Sequence, residues 1–233
     1  NGKGLLDVAI KSTIITVFIF RSARGWMAPR VKVCGITRIE DALACARLGV
    51  DAVGLVFAAS PRRVEPEAAR NIVESLPPFV CAVGVFVDAA VEDVLDTVRI
   101  AGLHAVQLSG NEDPQYVREL KASGVSSIIK AIRVATVADI DAAGHYDGVS
   151  ILLDTASSTA AGGTGKTFPW RYAVDIAARR PVVLAGGLKG ANVAEAVRTV
   201  RPWAVDVSSG VEKAPGIKDE AKIREFLMNA RSI

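Results

Sequence analysis

Short apolar runs rich in β-branched residues return eight times along this chain, and the stretches between them carry helical periodicity. The runs begin with "VKVC" at Val31 and "AVGLVF" at Ala52, and continue with "VCAVGVF" at Val80, "AVQL" at Ala105 and "IIKAI" at Ile128. "SILLD" at Ser150, "VVLAG" at Val182 and "AVDV" at Ala204 complete the set. Runs of this kind read as buried strands, whereas apolar residues three and four apart read as one face of a helix. In "RIEDALACARLG" the residues Ile39, Ala42, Leu43 and Ala46 share a face, and Gly49 supplies a stop signal. The segments "EPEAARNIVESL", "AVEDVLDTVRIAG", "QYVRELKASG", "TVADIDAAG", "NVAEAVRTV" and "DEAKIREFLMNA" have the same character. Eight strands alternating with helices over about 200 residues predict a closed (β/α)8 TIM barrel, because an open doubly wound sheet needs fewer strands.

The chain has 233 residues, half of them apolar, and no internal linker, so residues 27–233 are expected to form one domain. The formal net charge of +3 is concentrated in residues 1–26, where Lys3, Lys11, Arg21 and Arg24 oppose Asp7. The remainder is neutral, with acids and bases interleaved, which argues against nucleic acid as a partner. The apolar run at residues 14–20 is too short to span a bilayer, so no membrane association is expected. Residues 1–26 read as a dispensable extension ahead of Met27. Three cysteines without paired spacing make neither a disulfide framework nor a zinc site, and fit a cytoplasmic setting.

A barrel of this kind gathers its chemistry at the C-terminal ends of the strands. Cys34 ends the first run, "SPRR" at 60–63 follows the second, and Gln107 and Ser109 close the fourth. Asp154 ends the sixth, Gly186 and Gly187 the seventh, and Asp206, Ser208, Ser209 and Gly210 the eighth. The two glycines let backbone N–H groups approach an anion, and "SSG" adds hydroxyls and further N–H groups. Together they predict a phosphate cradle and a phosphorylated small molecule. Cys45 and Cys81 sit where a small buried hydrophobe is expected. Cys34 lies at the strand exit, where its thiolate can act as a base. Asp154 follows the apolar "ILL", where partial desolvation lets a carboxyl keep its proton. An acid and a base across the mouth suit a proton-relocating isomerisation.

The motifs "KVCGIT", "SPRRV", "VGVFV", "VQLSG", "LLDT", "GGTGKTFPW", "LAGGL" and "VDVSSGVEKAPGIKD" occur here in this order. In order and spacing the chain resembles the phosphoribosylanthranilate isomerases of tryptophan biosynthesis, over roughly residues 31–230. The resemblance implies an Amadori rearrangement of N-(5-phosphoribosyl)anthranilate to 1-(2-carboxyphenylamino)-1-deoxyribulose 5-phosphate, with no cofactor and no metal. It implies Asp154 as the general acid on the ring oxygen and Cys34 as the base at C2′. Arg62 would hold the anthranilate carboxylate, with Gln107, Ser109 and Asp206 contacting the substrate. A monomer or homodimer is expected.

The small-residue loop "TASSTAAGGTGKTF" resembles a cover for the site; its "GGTGKT" lacks the four-residue spacer between glycines of a nucleotide loop. Three positions depart from the family's usual pattern. Ser109 stands where His is usual, the "FAASPRRV" loop is about one residue short, and Pro169 replaces a frequent Asp, although proline suits a first helical turn. An indole-glycerol-phosphate synthase would call for a lysine acid and a glutamate at strand ends. A dual-specificity isomerase would carry aspartate in place of Cys34. A barrel that binds a phosphosugar without turning it over would not need the acid and base.

Overall fold

Eight parallel strands follow one another around a ring, and the ring closes where the first meets the last. The computed structural model describes residues 28–156 and 167–232. The extension 1–26 and most of the loop read as a cover lie outside the described residues. The strands are β1 (Arg30–Cys34), β2 (Ala52–Val56), β3 (Cys81–Phe86), β4 (Ala105–Leu108), β5 (Ile128–Val134), β6 (Ser150–Thr155), β7 (Val182–Leu184) and β8 (Ala204–Val207). Each falls on one of the apolar runs. Val31 lies opposite Val205 and Val33 opposite Val207, so the β1–β8 seam is an ordinary parallel ladder.

Helices cover the outside: α1 (Ile39–Leu48), α2 (Pro66–Ser75), α3 (Val91–Ala101), α4 (Pro114–Ala122), α5 (Val174–Arg179), α6 (Gly190–Val200) and α7 (Glu220–Arg231). Gly49 ends α1 as its position suggests, its N–H donating to the Ala46 carbonyl at 3.0 Å. Among the described residues no helix is long and apolar enough to cross a membrane.

The helical reading of "TVADIDAAG" needs correction. Val137–His145 forms a 3₁₀ helix instead. Val, Asp and Gly make up much of it and all rank low in helix propensity, and Asp139 accepts from the Thr136 N–H at 2.7 Å, which favours a tight turn. Pro169 precedes a 3₁₀ turn, Trp170–Ala173, that leads into the short α5. The guanidinium of Arg180 joins these two irregular parts by donating to the carbonyls of Ala143, Tyr146 and Val149 at 3.0, 3.2 and 2.6 Å. A second feature absent from the sequence reading is a hairpin after β8, in which β9 (Glu212–Ala214) pairs with β10 (Ile217–Lys218).

Side chains alternate along each strand, so every strand has one row outside and one inside. The outer row, including Val31, Val53, Leu108, Ile151 and Val205, packs under the helices. Inside, Ala131, Leu152, Val183, Ala185 and Ala204 fill the barrel with a small apolar plug. Beyond that plug, toward the strand ends, the inward row turns polar.

One charged pair lies in the outer layer. Lys130, opposite Leu108 in register, donates to Glu112 at 2.9 Å and to the Gly110 carbonyl at 2.7 Å. Glu112 also accepts from the N–H groups of Asp88 and Gly110, so the loops after β3 and β4 are tied to one buried carboxylate. Removing one partner strands the other charge. Lys130→Met is therefore expected to lower unfolding free energy by about 3–5 kcal/mol, measured by urea titration. A loss below about 1 kcal/mol would show that the pair is dispensable.

Candidate active site

At the seam of the barrel, Lys32 lies opposite Asp206 in register and Cys34 lies opposite Gly54. Lys32 Nζ donates to Asp206 Oδ1 at 3.0 Å, with both side chains buried. Gly54 leaves the space in which the thiol and the ammonium meet. A methyl group there would stand 2.7 Å from Cys34 Sγ and 3.1 Å from Lys32 Nζ. Burial pushes the Cys34 thiol up from its ordinary range; Lys32 and Lys218 act against that shift and Asp206 adds to it. Burial disfavours the Lys32 ammonium too, but Asp206 and Cys34 outweigh it and carry Lys32 to about 12.

Across the mouth, β6 presents Asp154. Burial, reinforced by the Asp206 carboxylate, pushes its carboxyl up to about 6, against the Thr155 N–H, Arg133 and Lys32. Its Oδ1 accepts from Thr155 N at 2.7 Å. A methyl group on Gly186 would crowd that same oxygen at 2.9 Å, so the glycine after β7 makes room for the acid. Arg133, opposite Asp154 on β5, donates to the Ser109 carbonyl at 3.3 Å. Gln107 is buried on β4; its Nε2 donates to Ser109 Oγ at 3.1 Å, while its Oε1 is buried without a partner among the described residues. A buried orphan acceptor at a polar mouth suits a ligand hydroxyl or N–H.

Arg62 occupies the rim between β2 and the hairpin. Its Nε and Nη2 donate to the two carboxylate oxygens of Glu212 at 2.8 and 2.7 Å. Lys218 Nζ donates to Glu212 Oε1, the oxygen that also accepts from Arg62 Nε, at 2.7 Å and to the carbonyls of Cys34 and Ser208 at 2.6 and 3.3 Å. Burial alone would raise Glu212, but hydrogen bonds from Arg62 and Lys218 outweigh it and hold the carboxyl down to about 2. Arg63, by contrast, is exposed beside Glu65. The sequence reading placed Arg62 at the rim and missed the carboxylate that holds it.

The loops after β7 and β8 lie side by side. Gly186 and Gly187 have φ of +83° and +67°, backbone positions that side-chain-bearing residues seldom adopt. Gly210 packs against the Leu188 carbonyl with no room for a Cβ. Ser209–Val211 forms a 3₁₀ turn rather than an α-helix, so the anion-binding potential here rests on loop N–H groups and the hydroxyls of Ser208 and Ser209. Cys45 is fully buried under α1, and burial pushes its thiol up to about 12. Cys81 begins β3 and is partly exposed. A cleft of about 430 Å³ beside Leu95, Arg99, His104 and Ser127 opens at the other end of the barrel, away from these groups.

A closed eight-stranded barrel whose inward row ends in a thiol, a carboxyl raised to about 6 and a lysine–aspartate pair belongs to the class of (β/α)8 barrels with titratable groups gathered at the mouth. The family model for N-(5′-phosphoribosyl)anthranilate (PRA) isomerase matches residues 31–229, and the chain belongs to that family, an isomerase family of tryptophan biosynthesis. The N-(5′-phosphoribosyl)anthranilate isomerase of Geobacter sulfurreducens is 48% identical over 203 residues, covering 87% of this chain and 98% of that protein. The crystal structure of phosphoribosyl anthranilate isomerase from Thermotoga maritima matches with a TM-score of 0.82 and 46% identity, over 88% of this chain and all of that one. A structure of the enzyme in complex with reduced 1-(o-carboxyphenylamino)-1-deoxyribulose 5-phosphate matches with a TM-score of 0.79 and 44% identity, over 88% of this chain and 100% of that chain.

The Glu212 cluster sets an acid limit on stability. A carboxyl held below its unfolded value stabilises the fold above that value and loses its contribution as pH falls toward about 2. Thermal midpoints are expected to fall between about pH 5 and pH 2, and Glu212→Gln should flatten that part of the curve. An unchanged slope in the variant would remove Glu212 as its source.

Proposed function

We propose that this chain isomerises N-(5-phosphoribosyl)anthranilate to 1-(2-carboxyphenylamino)-1-deoxyribulose 5-phosphate by general acid–base catalysis, in the cytoplasm, with machinery lying wholly within residues 27–233. The observation that carries the reading is the pairing of an inward buried thiol with a carboxyl held near neutrality on the same barrel mouth.

Asp154 gives its proton to the furanose ring oxygen as the C1′–O bond breaks, which leaves a protonated Schiff base between C1′ and the anthranilate nitrogen. A carboxyl near 6 suits this step, since it holds a proton more readily than an exposed aspartate does. The Cys34 thiolate then takes the C2′ proton. The electrons of that C–H bond form the C1′–C2′ double bond of an enolamine, which tautomerises to the ketone. Asp206 accepts the hydrogen bond of Lys32, and Gln107 Oε1 is available to a substrate hydroxyl or N–H, with Ser109 holding the Gln107 amide.

Arg62 receives the anthranilate carboxylate. Its Nε–Nη2 edge is engaged by Glu212, which leaves the Nη1 edge of the guanidinium fork for a second carboxylate. The sugar phosphate sits against Gly186, Gly187, Ser208, Ser209 and Gly210, on the paired loops after β7 and β8.

Anthranilate fluorescence, which follows loss of the substrate, tests reaction and substrate together. Cys34→Ala and Asp154→Asn are each expected to lower kcat by at least about 100-fold with binding of a reduced product analogue nearly intact. Near-normal turnover in either variant removes that residue from the chemistry. Arg62→Ala, which removes a contact made throughout the reaction, is expected to raise KM by more than it lowers kcat. If Arg63→Ala shows that pattern instead, the assignment on the shortened loop is wrong.

A further inference from the structure

Burial leaves Cys34 poorly suited to its task. A thiol removed from water resists ionisation, yet a base must be a thiolate before it takes a proton. Some group at the mouth has to favour the charged form.

The charged groups facing Cys34 come from four elements. Lys32 is on the same strand, Asp206 on β8, Lys218 on β10 and Arg62 on the loop after β2. β2 itself contributes Gly54, which carries no charge. Lys218 already serves three acceptors, the carbonyls of Cys34 and Ser208 and the carboxylate of Glu212. Arg62 is engaged by both oxygens of Glu212. Lys32 differs from both. Its ammonium has Asp206 on one side and the thiol on the other, and Gly54 is what lets the two side chains share that space. A lysine only 4% exposed inside a barrel also needs a reason to be charged there, because burial strips an ammonium of its hydration.

We propose that Lys32 is the positioning residue that makes Cys34 usable as a base: pinned by Asp206, its ammonium stabilises the thiolate of Cys34 at the barrel mouth. The proton bookkeeping is simple. The thiol loses its proton to water in the free enzyme, the thiolate later takes the C2′ proton, and Lys32 keeps its own proton throughout. Lys32 exchanges no proton with the substrate. The proposal rests on the reading of Cys34 as the base.

The thiol can be read directly. Alkylation of Cys34 by iodoacetamide, followed by peptide mass spectrometry from about pH 6 up to the highest pH at which the protein stays folded, gives the ionisation midpoint, or its lower bound, without reference to turnover. Lys32→Met is expected to move that midpoint up by about one unit or more and to lower kcat/KM at neutral pH about tenfold or more. Lys32→Arg, which keeps the charge, should leave the midpoint within about half a unit of the native value. Should Lys32→Met fail to fold, Lys32→Gln, which keeps a polar side chain without the charge, decides the matter by the same upward shift. An unchanged midpoint in the folded variant without the charge, or a shift in Lys32→Arg as large as in that variant, overturns the proposal. Near-normal turnover in Cys34→Ala would instead remove Cys34 from the chemistry, and is distinguishable because alkylation reports on the thiol whether or not it is the base.

Discussion

The barrel closes where β1 meets β8, and the Lys32–Asp206 ion pair lies on the inner side of that seam. Its position follows from strand geometry. With Val31 and Val33 in the outer row, Lys32 and Cys34 must point inward, and Asp206 meets Lys32 because the two are opposite in register. Moving the register by one residue would turn both charges out beneath the helices and bring valines into the mouth. The fold and the polar chemistry of its mouth therefore depend on the same alternation.

From this pair the protonation states around the mouth follow. The Asp206 carboxylate, bonded to Lys32, helps to keep a proton on Asp154, which burial has already made reluctant to ionise. Around the rim a second set works in the same way at lower pH. Glu212 is fixed by Arg62 and Lys218, and Lys218 reaches the carbonyls that follow β1 and β8, so the hairpin locks the loops that frame the mouth.

How much of this was legible in the sequence depended on distance along the chain. Strands such as "SILLD" and helices such as "RIEDALACARLG" are local patterns, and the structure places them where the pattern does. Cys34 and Asp154 were legible as site candidates because a strand end is also a local property. Their partners were not. Lys32 meets Asp206 from 174 positions away, and Arg62 meets Glu212 from 150. A lysine in "VKVC" looks like a flaw in an apolar run until its partner is known. The hairpin at Glu212–Lys218 was missed because strands of three and two residues carry too little alternation to register. The segment after β5 was read as an α-helix from its spacing, while its Val, Asp and Gly content favoured the tighter turn.

The central claim is that the Asp206 carboxylate at the seam helps to hold Asp154 as the protonated acid. Isotope-edited infrared spectroscopy of the Asp154 carboxyl, followed across pH in the native protein and in Asp206→Asn, reads that proton directly. The account predicts that the protonated carbonyl band persists to about pH 6 in the native protein and is lost at lower pH in the variant. A native carboxyl that ionises near pH 4, like an exposed aspartate, or one that Asp206→Asn leaves unmoved, would contradict it.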